Sequence, residues 1–380
     1  MAKGLRGLAA VTAFRDQADA QVVLVLQGGG ALGAYQVGVY QALHEAGIEP
    51  DWIIGTSIGA INASLIAGNE PARRLDALRD FWSRVENRLP VWPGVPDTLS
   101  YWSILLGGVS GFFRPNPAAF WGTHVPLGVD HAGFYSTAPL RETLTELVDF
   151  SLINRRQPRL TVGAAHVRTS MMRYFDSRYQ PIKIDHILAS GALPPAFPAV
   201  RIDGELYWDG GIMSNTPTEV IFEDNPRRSS LIFAVHVWNP DGPEPGTIWE
   251  VLHRQKDIQY SSRIAGQIAK LKQAHKLRHV ITQLARKLPP DVRDNEAVRE
   301  LASYGCVSRM HIVQLLAPRF VNENHTKDVD FSPSGIRMRC EAGYKATVRA
   351  LNEAAWLGEF DPLEGVILHR PKPDHAMAAE

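Results

Sequence analysis

Residues 21–59 read QVVLVLQGGGALGAYQVGVYQALHEAGIEPDWIIGTSIG, and this stretch decides the fold class. The run Gln21–Leu26 is short, almost wholly apolar and rich in β-branched residues, which is typical of a strand buried on both faces. Residues 34–46 follow helical spacing with Gly47 as a C-terminal cap, and a second strand, 52–54, comes next. A helix of small residues, 60–67, follows that strand. Strand, helix, strand and helix within about fifty residues predict parallel strands joined by crossover helices, hence an α/β fold.

The composition is that of an ordinary globular chain of 380 residues, 45% hydrophobic and 21% charged. Forty basic residues balance forty acidic ones, so net charge points to no particular partner, and no nucleic acid is expected. The cysteines, Cys306 and Cys340, lack the spacing of a zinc site or a disulfide framework, which fits a cytoplasmic protein. The apolar run near the N terminus is too thin for a signal peptide, so residues 1–20 are expected to form a disordered leader. No stretch approaches the ~18 apolar residues of a spanning helix.

The remaining chain divides into an irregular segment, a group of strands and a helical C-terminal part. Residues 89–139 are rich in Pro, Gly and aromatic residues and lack a clear period, which is unusual inside a compact domain. A helix is predicted at 141–150, strands at 159–165, 171–175 and 231–238, and beyond Pro245 mainly helices with a strand-like run at 308–316. These patterns predict a leader (1–20), a main domain (21–240), a helical extension (245–360) and a tail (361–380).

Gly55-Thr56-Ser57-Ile58-Gly59 is a G-x-S-x-G sequence placed after a predicted strand and before a predicted helix. A nucleophile elbow requires this context, because a sharp strand-to-helix turn raises the serine hydroxyl above the sheet. Gly55 and Gly59 permit that turn. The alternative is a serine that only caps the helix.

The glycine-rich run before the first helix, Gly28-Gly29-Gly30-Ala31-Leu32-Gly33, has two interpretations. It satisfies the G-x-G-x-x-G fingerprint of dinucleotide-binding proteins, which predicts a nucleotide-binding protein. That fingerprint needs an acidic residue at the end of the second strand, where this chain has Gly55-Thr56-Ser57. The amides of Gly28, Gly29 and Gly30 suit the oxyanion of a tetrahedral intermediate equally well.

A serine hydroxyl needs a base before it can attack an ester. Among the histidines that follow the serine, His166, His186 and His311 show no distinguishing context, and His236 lies inside a predicted strand. Asp209, in Trp208-Asp209-Gly210-Gly211, is the better candidate, because two following glycines let other backbone approach the carboxylate closely. An Asp-Gly hairpin turn explains the same residues equally well.

The three motifs in this order resemble the patatin-like phospholipase family: a glycine-rich loop, then G-x-S-x-G, then D-G-G. The similarity covers residues 22–216, and Ser190-Gly191-Ala192-Leu193-Pro194 also resembles a family segment. By this resemblance Ser57 is the nucleophile, Asp209 the base of a Ser–Asp dyad and Gly28–Gly30 the oxyanion hole, on a three-layer sandwich with a mostly parallel sheet. Leu32 departs from the family, many of whose members have Arg or Lys there, which makes a strongly anionic head group near the loop less expected.

The resemblance implies a serine esterase that cleaves lipid acyl esters through an acyl-enzyme and uses no metal or other cofactor. A hydroxyalkanoate polyester or oligoester is the alternative substrate for the same chemistry. The part from about Pro245 to Leu357 resembles the helical extension of some bacterial patatin-like proteins. The sequence favours no particular oligomeric state.

Two segments carry a possible membrane role, each with a structural alternative. Between Arg254 and Leu288 nine Lys or Arg accompany one acid, and apolar residues from Ile264 to Leu288 form a helical stripe. This helix either lies on an anionic membrane, at the inner face of the cell, or packs its stripe on the domain. The 89–139 insertion is either a lid or an aromatic cluster that fills core.

Overall fold

The computed structural model describes residues 2–18, 20–87, 104, 106–261, 263–320, 323 and 325–370. The strands within these ranges are β1 (Gln21–Leu26), β2 (Trp52–Thr56), β3 (Arg114–Pro115), β4 (Tyr135–Ser136), β5 (Arg159–His166), β6 (Met171–Asp176), β7 (Val200–Ile202), β8 (Glu205–Asp209), β9 (Ser230–His236), β10 (Met310–Leu316) and β11 (Val366–His369). Nine of them form one mixed sheet in the order β11-β10-β9-β1-β2-β5-β8-β7, with β6 paired to β5. Strands from β11 to β5 run parallel, and β6, β7 and β8 are antiparallel to their neighbours.

The helices cover both faces of this sheet. They are α1 (Ala2–Ala18), α2 (Ala34–Glu45), α3 (Ile58–Ala67), α4 (Arg74–Arg84), α5 (Ala138–Leu147), α6 (Phe150–Asn154), α7 (Ile184–Ser190), α8 (Glu219–Glu223), α9 (Ile248–Ser261), α10 (Arg263–Lys287), α11 (Pro290–Arg293), α12 (Glu296–Ser303) and α13 (Pro333–Glu353). Within the described ranges, none of them combines the length and apolarity needed to span a membrane.

Strand β1 shows why the sheet is the middle of three layers. Its side chains alternate between two apolar clusters, with Val22, Leu24 and Leu26 in one and Val23 and Val25 in the other. All are fully buried, because helices pack on both faces, and this explains the continuous apolar run. The predicted α/β fold with a mostly parallel central sheet is confirmed.

The predicted disordered leader is replaced by helix α1. Its side chains Ala10, Val11 and Phe14 are buried in the main core. The indole N–H of Trp356 donates to the Ala10 carbonyl at 3.3 Å, and Arg15 pairs with Asp51 at 2.7 Å. The apolar run that is too thin for a signal peptide therefore serves as a packing surface.

The C-terminal part shares the sheet of the main domain. Strand β10 pairs with β9, and β11, which lies in the predicted tail, pairs with β10. Helix α13 begins at Pro333, where the Ser332 hydroxyl caps it by accepting from the Gly335 amide at 3.1 Å, and packs on α2. The region is mainly helical, as predicted, but it also completes one edge of the central sheet.

The predicted basic helix is two helices, α9 and α10, and the predicted stripe is only partly buried. On α10, Ile268 is buried, whereas Leu277 and Leu284 are 58% and 60% exposed. The side chains buried in their place are His275 and His279, whose Nε2 atoms both lie within 2.9 Å of the Ser308 carbonyl oxygen. The packed face of α10 therefore combines part of the predicted stripe, Ile268 and Leu271, with the two hydrogen-bonded histidines.

The described part of the 89–139 insertion is largely irregular, as predicted, with the short pair β3 and β4. Phe112 and Phe113 pack against Phe197 with ring centroids 6.4 and 5.6 Å away, whereas Trp121 is 81% exposed. Trp92, Tyr101 and Trp102 lie outside the described residues. The insertion therefore contributes both core and exposed aromatic surface.

Candidate active site

Ser57 lies in the turn between β2 and α3, as the sequence predicts. Its φ of 56° and ψ of −127° are a strained conformation for a residue with a side chain. A Cβ on Gly55 would collide with the Gly59 carbonyl, and one on Gly59 would collide with the Leu26 carbonyl. Both glycines are therefore required for the close approach of strand and helix that exposes Ser57.

Asp209 reaches Ser57 through the register of the sheet. Thr56 of β2 lies beside Gly163 of β5, and the next residue of β5, Ala164, lies beside Asp209 of β8. A Cβ on Gly210 would stand 2.6 Å from the Gly163 carbonyl oxygen, so this position admits glycine alone. The ends of two strands distant in sequence thus bring the carboxylate to the elbow.

Asp209 does not lie in a hairpin turn, which is the alternative interpretation of its sequence. The hairpin between β7 and β8 is made by Asp203 and Gly204, whose φ values are 48° and 86°. Asp209 ends β8 instead, and its Oδ1 accepts the Gly211 amide at 2.7 Å. The carboxylate is held by the glycine turn that follows it.

Burial raises the pKa of Asp209 from its ordinary 3.8 to about 7. Hydrogen bonds from the Ser57 hydroxyl and the Gly211 amide oppose that rise by stabilising the charged form. The residue is 2% exposed, so loss of hydration is the dominant effect. A carboxylate with a pKa near neutrality is a far better proton acceptor at pH 7 than a solvated one.

The glycine-rich loop faces the same point. A Cβ on Gly28 would stand 2.9 Å from the Ser57 Cβ, and Gly30 has a φ of +56°. The Gly28 amide donates to the Asn215 carbonyl at 3.3 Å. No acceptor for the amides of Gly29 and Gly30 is found among the described residues. Of the three predicted donors, these two therefore have no acceptor within the described part of the chain.

Several residues that position the site escape the sequence motifs. The Asn215 side-chain amide and the Trp238 indole both donate to the Gly28 carbonyl, at 3.1 and 2.8 Å. The Ser190 hydroxyl accepts the Ser57 amide at 2.9 Å and donates to the Gly163 carbonyl at 2.6 Å. Ser190 lies in the segment that resembles the family, but Asn215 and Trp238 follow ordinary stretches and give no signal in the sequence.

These groups open into one cavity of about 200 Å³. Its polar end contains Ser57, Asp209, Gly28–Gly30, Gly211 and Asn215. The rest of the wall is mostly apolar and aromatic: Ile104, Phe112, Phe113, Tyr135, Phe197 and Phe331. Such a cavity suits the acyl chain of an ester whose carbonyl lies at the polar end.

The four candidate histidines all lie elsewhere. None is found among the described residues that line the cavity. His166 contacts Glu205, His186 accepts the Lys183 amide, His311 pairs with His369, and His236 is fully buried in β9. The described ranges contain no group of three or more His, Cys, Asp or Glu arranged to hold a metal ion.

Comparison with known proteins gives consistent similarities. The family described as "Patatin-like phospholipase" matches residues 24–222, slightly more than half of the chain, and one described as "Patatin phospholipase" matches residues 258–363. The cGAMP-activated phospholipase of Pseudomonas aeruginosa is 29% identical over 208 residues, which cover 51% of this chain and 54% of that protein. Patatin-like phospholipase domain-containing protein 7 of Rattus norvegicus is 29% identical over 199 residues, or 52% of this chain and 12% of that protein.

A likeness to a solved structure is more distant. VipD from Legionella pneumophila superposes with a TM-score of 0.37 at 16% identity, covering 88% of this chain and 67% of that one. The matched region spans about half the length of the bacterial relative and about an eighth of the rat protein.

Proposed function

Since the chain belongs to the patatin-like phospholipase family, we propose that it hydrolyses lipid acyl esters with Ser57 as nucleophile and Asp209 as base. The observation that carries the proposal is the buried Asp209 carboxylate, held next to the Ser57 hydroxyl with a pKa raised to about 7. The aromatic wall of the same cavity supports an acyl chain as its occupant.

The reaction takes place in two steps. Asp209 removes the proton of the Ser57 hydroxyl as the oxygen attacks the ester carbonyl, and the amides of Gly29 and Gly30 stabilise the resulting oxyanion. The proton then passes from Asp209 to the leaving alcohol, which leaves an acyl ester on Ser57. In the second step Asp209 deprotonates a water that attacks this acyl-enzyme, and the proton returns to Ser57 as the carboxylic acid departs.

The cavity also limits the acyl chain. A protein cavity of roughly 150 Å³ holds a benzene molecule, so the 200 Å³ of this cavity accommodate about eight carbon atoms. We propose a short or medium acyl segment as the preferred group. A hydroxyalkanoate oligoester, the alternative substrate, places polar ester groups against the aromatic wall, which favours a hydrocarbon chain.

Ser57→Ala tests the assignment. Hydrolysis of p-nitrophenyl octanoate should fall by about 10⁴ or more, as for other removed nucleophiles, and a fluorophosphonate probe should label only the wild-type protein. Circular dichroism of both proteins controls for folding. Octanoate hydrolysis by folded Ser57→Ala at the wild-type rate would exclude Ser57 as the nucleophile.

We further propose peripheral contact with anionic membranes. The insertion and α9 both reach the cavity, through Phe112 and Tyr260, and both expose large apolar side chains, Trp121 at 81% and Ile248 at 80%. Exposed apolar side chains on two segments that also line the cavity would let the protein rest on a lipid surface. The lysines and arginines that begin at Arg254 support anionic lipid over neutral lipid.

Vesicle flotation tests this contact. Wild-type protein should float with anionic vesicles, and the double variant Trp121→Ala, Ile248→Ser should remain at the bottom. Leu301→Ser is the matched control, because Leu301 is 66% exposed on α12, which does not line the cavity. Equal recovery of wild type and double variant contradicts the proposed contact.

A further inference from the structure

Residues 327–331, here the strap, bring the C-terminal part of the chain into the cavity. Val329 and Phe331 line its wall, and Phe331 packs its ring 5.7 Å from Phe112 and 6.2 Å from Trp82. The Phe331 carbonyl accepts the Asn87 amide at 2.8 Å. The strap is therefore fixed to the catalytic half of the molecule on its apolar side.

The strap also contacts the glycine-rich loop directly. A Cβ on Gly30 would collide with the Asp328 carbonyl oxygen, and Gly30 has the left-handed φ that favours glycine. The Gly30 backbone and the Asp328 backbone are thus packed against each other without an intervening side chain. A shift of the strap would move the Gly30 amide, one of the two proposed oxyanion donors.

A buried ion pair holds the strap in place. The Lys327 ammonium donates to Asp257 Oδ1 of α9 at 2.7 Å, and the two side chains are 3% and 1% exposed. Arg319 donates to the other Asp257 oxygen at 3.0 Å. The same ammonium lies 5.3 Å from the ring centroid of Trp238, whose indole holds the Gly28 carbonyl. Lys327 is therefore linked to both ends of the oxyanion loop, to Gly28 through Trp238 and to Gly30 through the adjacent Asp328 backbone.

Such a pair adds little to the free energy of unfolding, because desolvation of two charges offsets most of their attraction. It does fix the position of the ammonium, because the contacts that Asp257 makes are directional. We infer that the Lys327–Asp257 pair positions the oxyanion loop, which makes the C-terminal part a component of the catalytic unit. This inference rests on the proposed function of Gly29 and Gly30, and Lys327 acts through them as a positioning residue.

Lys327→Met tests the inference, with Lys272→Met as the control. Lys272 forms an ion pair with Glu364 in the same C-terminal part, away from the cavity. On p-nitrophenyl acetate, whose short acyl group depends least on the aromatic wall, kcat should fall about 10- to 100-fold, somewhat less than the roughly 10²- to 10³-fold loss that follows removal of an oxyanion donor. KM should stay within about threefold. A loss of general stability would instead lower the active fraction, with hydrogen exchange faster throughout the chain.

Hydrogen exchange by mass spectrometry gives a readout that does not depend on activity. Amide exchange in peptides covering residues 27–33 should rise in Lys327→Met and stay at the wild-type level in Lys272→Met. If Lys327→Met does not fold, the double variant Lys327→Met, Asp257→Asn removes both charges of the pair, keeps an oxygen that accepts from Arg319, and should restore folding but not kcat. A folded variant of either kind with wild-type kcat and wild-type exchange at 27–33 overturns the inference.

The two proposals fail in different ways. If the wild-type protein neither hydrolyses esters nor reacts with a fluorophosphonate, the proposed function is wrong, and the exchange comparison still measures whether Lys327 holds the loop. If the wild type is active and labelled, but Lys327→Met matches it in kcat and exchange, only the positioning inference is wrong.

Discussion

Replacing Asp209 with asparagine should stabilise the fold at alkaline pH while it removes the proposed base. Asparagine keeps the acceptor oxygen for the Gly211 amide, at 2.7 Å in the wild type, and occupies the same volume. It carries no charge, so no buried carboxylate has to ionise as the pH rises. The variant therefore separates the effect of the buried charge on stability from its effect on catalysis.

The pKa of Asp209, raised from 3.8 to about 7, sets the size and sign of the effect. The folded protein binds this proton more tightly than the unfolded chain, so the free energy of unfolding falls as pH rises from about 3.8 through about 7. At about 1.4 kcal/mol per pKa unit, the wild type should lose roughly 3 kcal/mol between pH 5 and pH 8 relative to the variant. Above pH 8 the difference should be constant.

Urea unfolding at pH 5, 6, 7 and 8 measures this difference. Ser57→Ala is the matched control, because it is equally inactive but keeps the Asp209 carboxyl. Its unfolding free energy should fall with pH at least as much as that of the wild type, because loss of the Ser57 hydrogen bond raises the Asp209 pKa further. That of Asp209→Asn should rise relative to both as pH increases. A stability difference between Asp209→Asn and wild type that does not change with pH would refute a buried carboxyl of raised pKa.

Three further predictions concern activity. Because Asp209 must be ionised to accept a proton, kcat/KM for an octanoyl ester should rise about tenfold per pH unit below 7 and level off above it. A kcat/KM that stays constant from pH 5 to 8 contradicts this. Single alanine variants of His166, His186, His236 and His311 should keep activity if folded, while Asp209→Asn should lose nearly as much activity as Ser57→Ala. An inactive but folded histidine variant, together with an active Asp209→Asn, would show that a histidine is the base. Gly191→Leu should fill the cavity and lower the rate of octanoyl relative to acetyl ester hydrolysis about tenfold. The backbone tolerates the change, because Gly191 has φ −100° and an added Cβ would meet no atom within 3.8 Å. An unchanged ratio of the two rates contradicts the cavity as the acyl site.

The sequence predicts the fold class because its decisive signals are local. The strand β1, the helix α2 and the strand β2 follow one another within residues 21–56, and each carries its own local sequence signal. Ser57 and the glycines around it also form one continuous motif. The rest of the chain contributes to this region only by burying both faces of the sheet.

The proposed base is harder to predict because its place depends on strand register. Asp209 reaches Ser57 only through Gly163 and Ala164 of an intervening strand, and no local pattern encodes that pairing. The positioning residues are harder still, since Asn215 contacts Gly28 across 187 positions. Helix α10 illustrates a different failure, because apolar spacing predicts buried leucines where hydrogen-bonded histidines are buried.

In a dyad without histidine, the fold has to raise the pKa of the base, and this lowers the free energy of unfolding. A histidine has an ordinary pKa of about 6.5 and can act near neutrality without help, whereas an aspartate must be moved up by about three units, at roughly 4 kcal/mol of stability at pH 8. That shift requires dry surroundings, and Phe112 from the insertion and Phe331 from the strap line the cavity into which Asp209 opens. We therefore expect segments outside the motif-bearing core to limit the water that reaches Asp209. On this reasoning, loosening the strap should lower the pKa of Asp209 as well as displace the Gly30 amide, and the acidic limb of the pH-rate profile of Lys327→Met should move below that of the wild type.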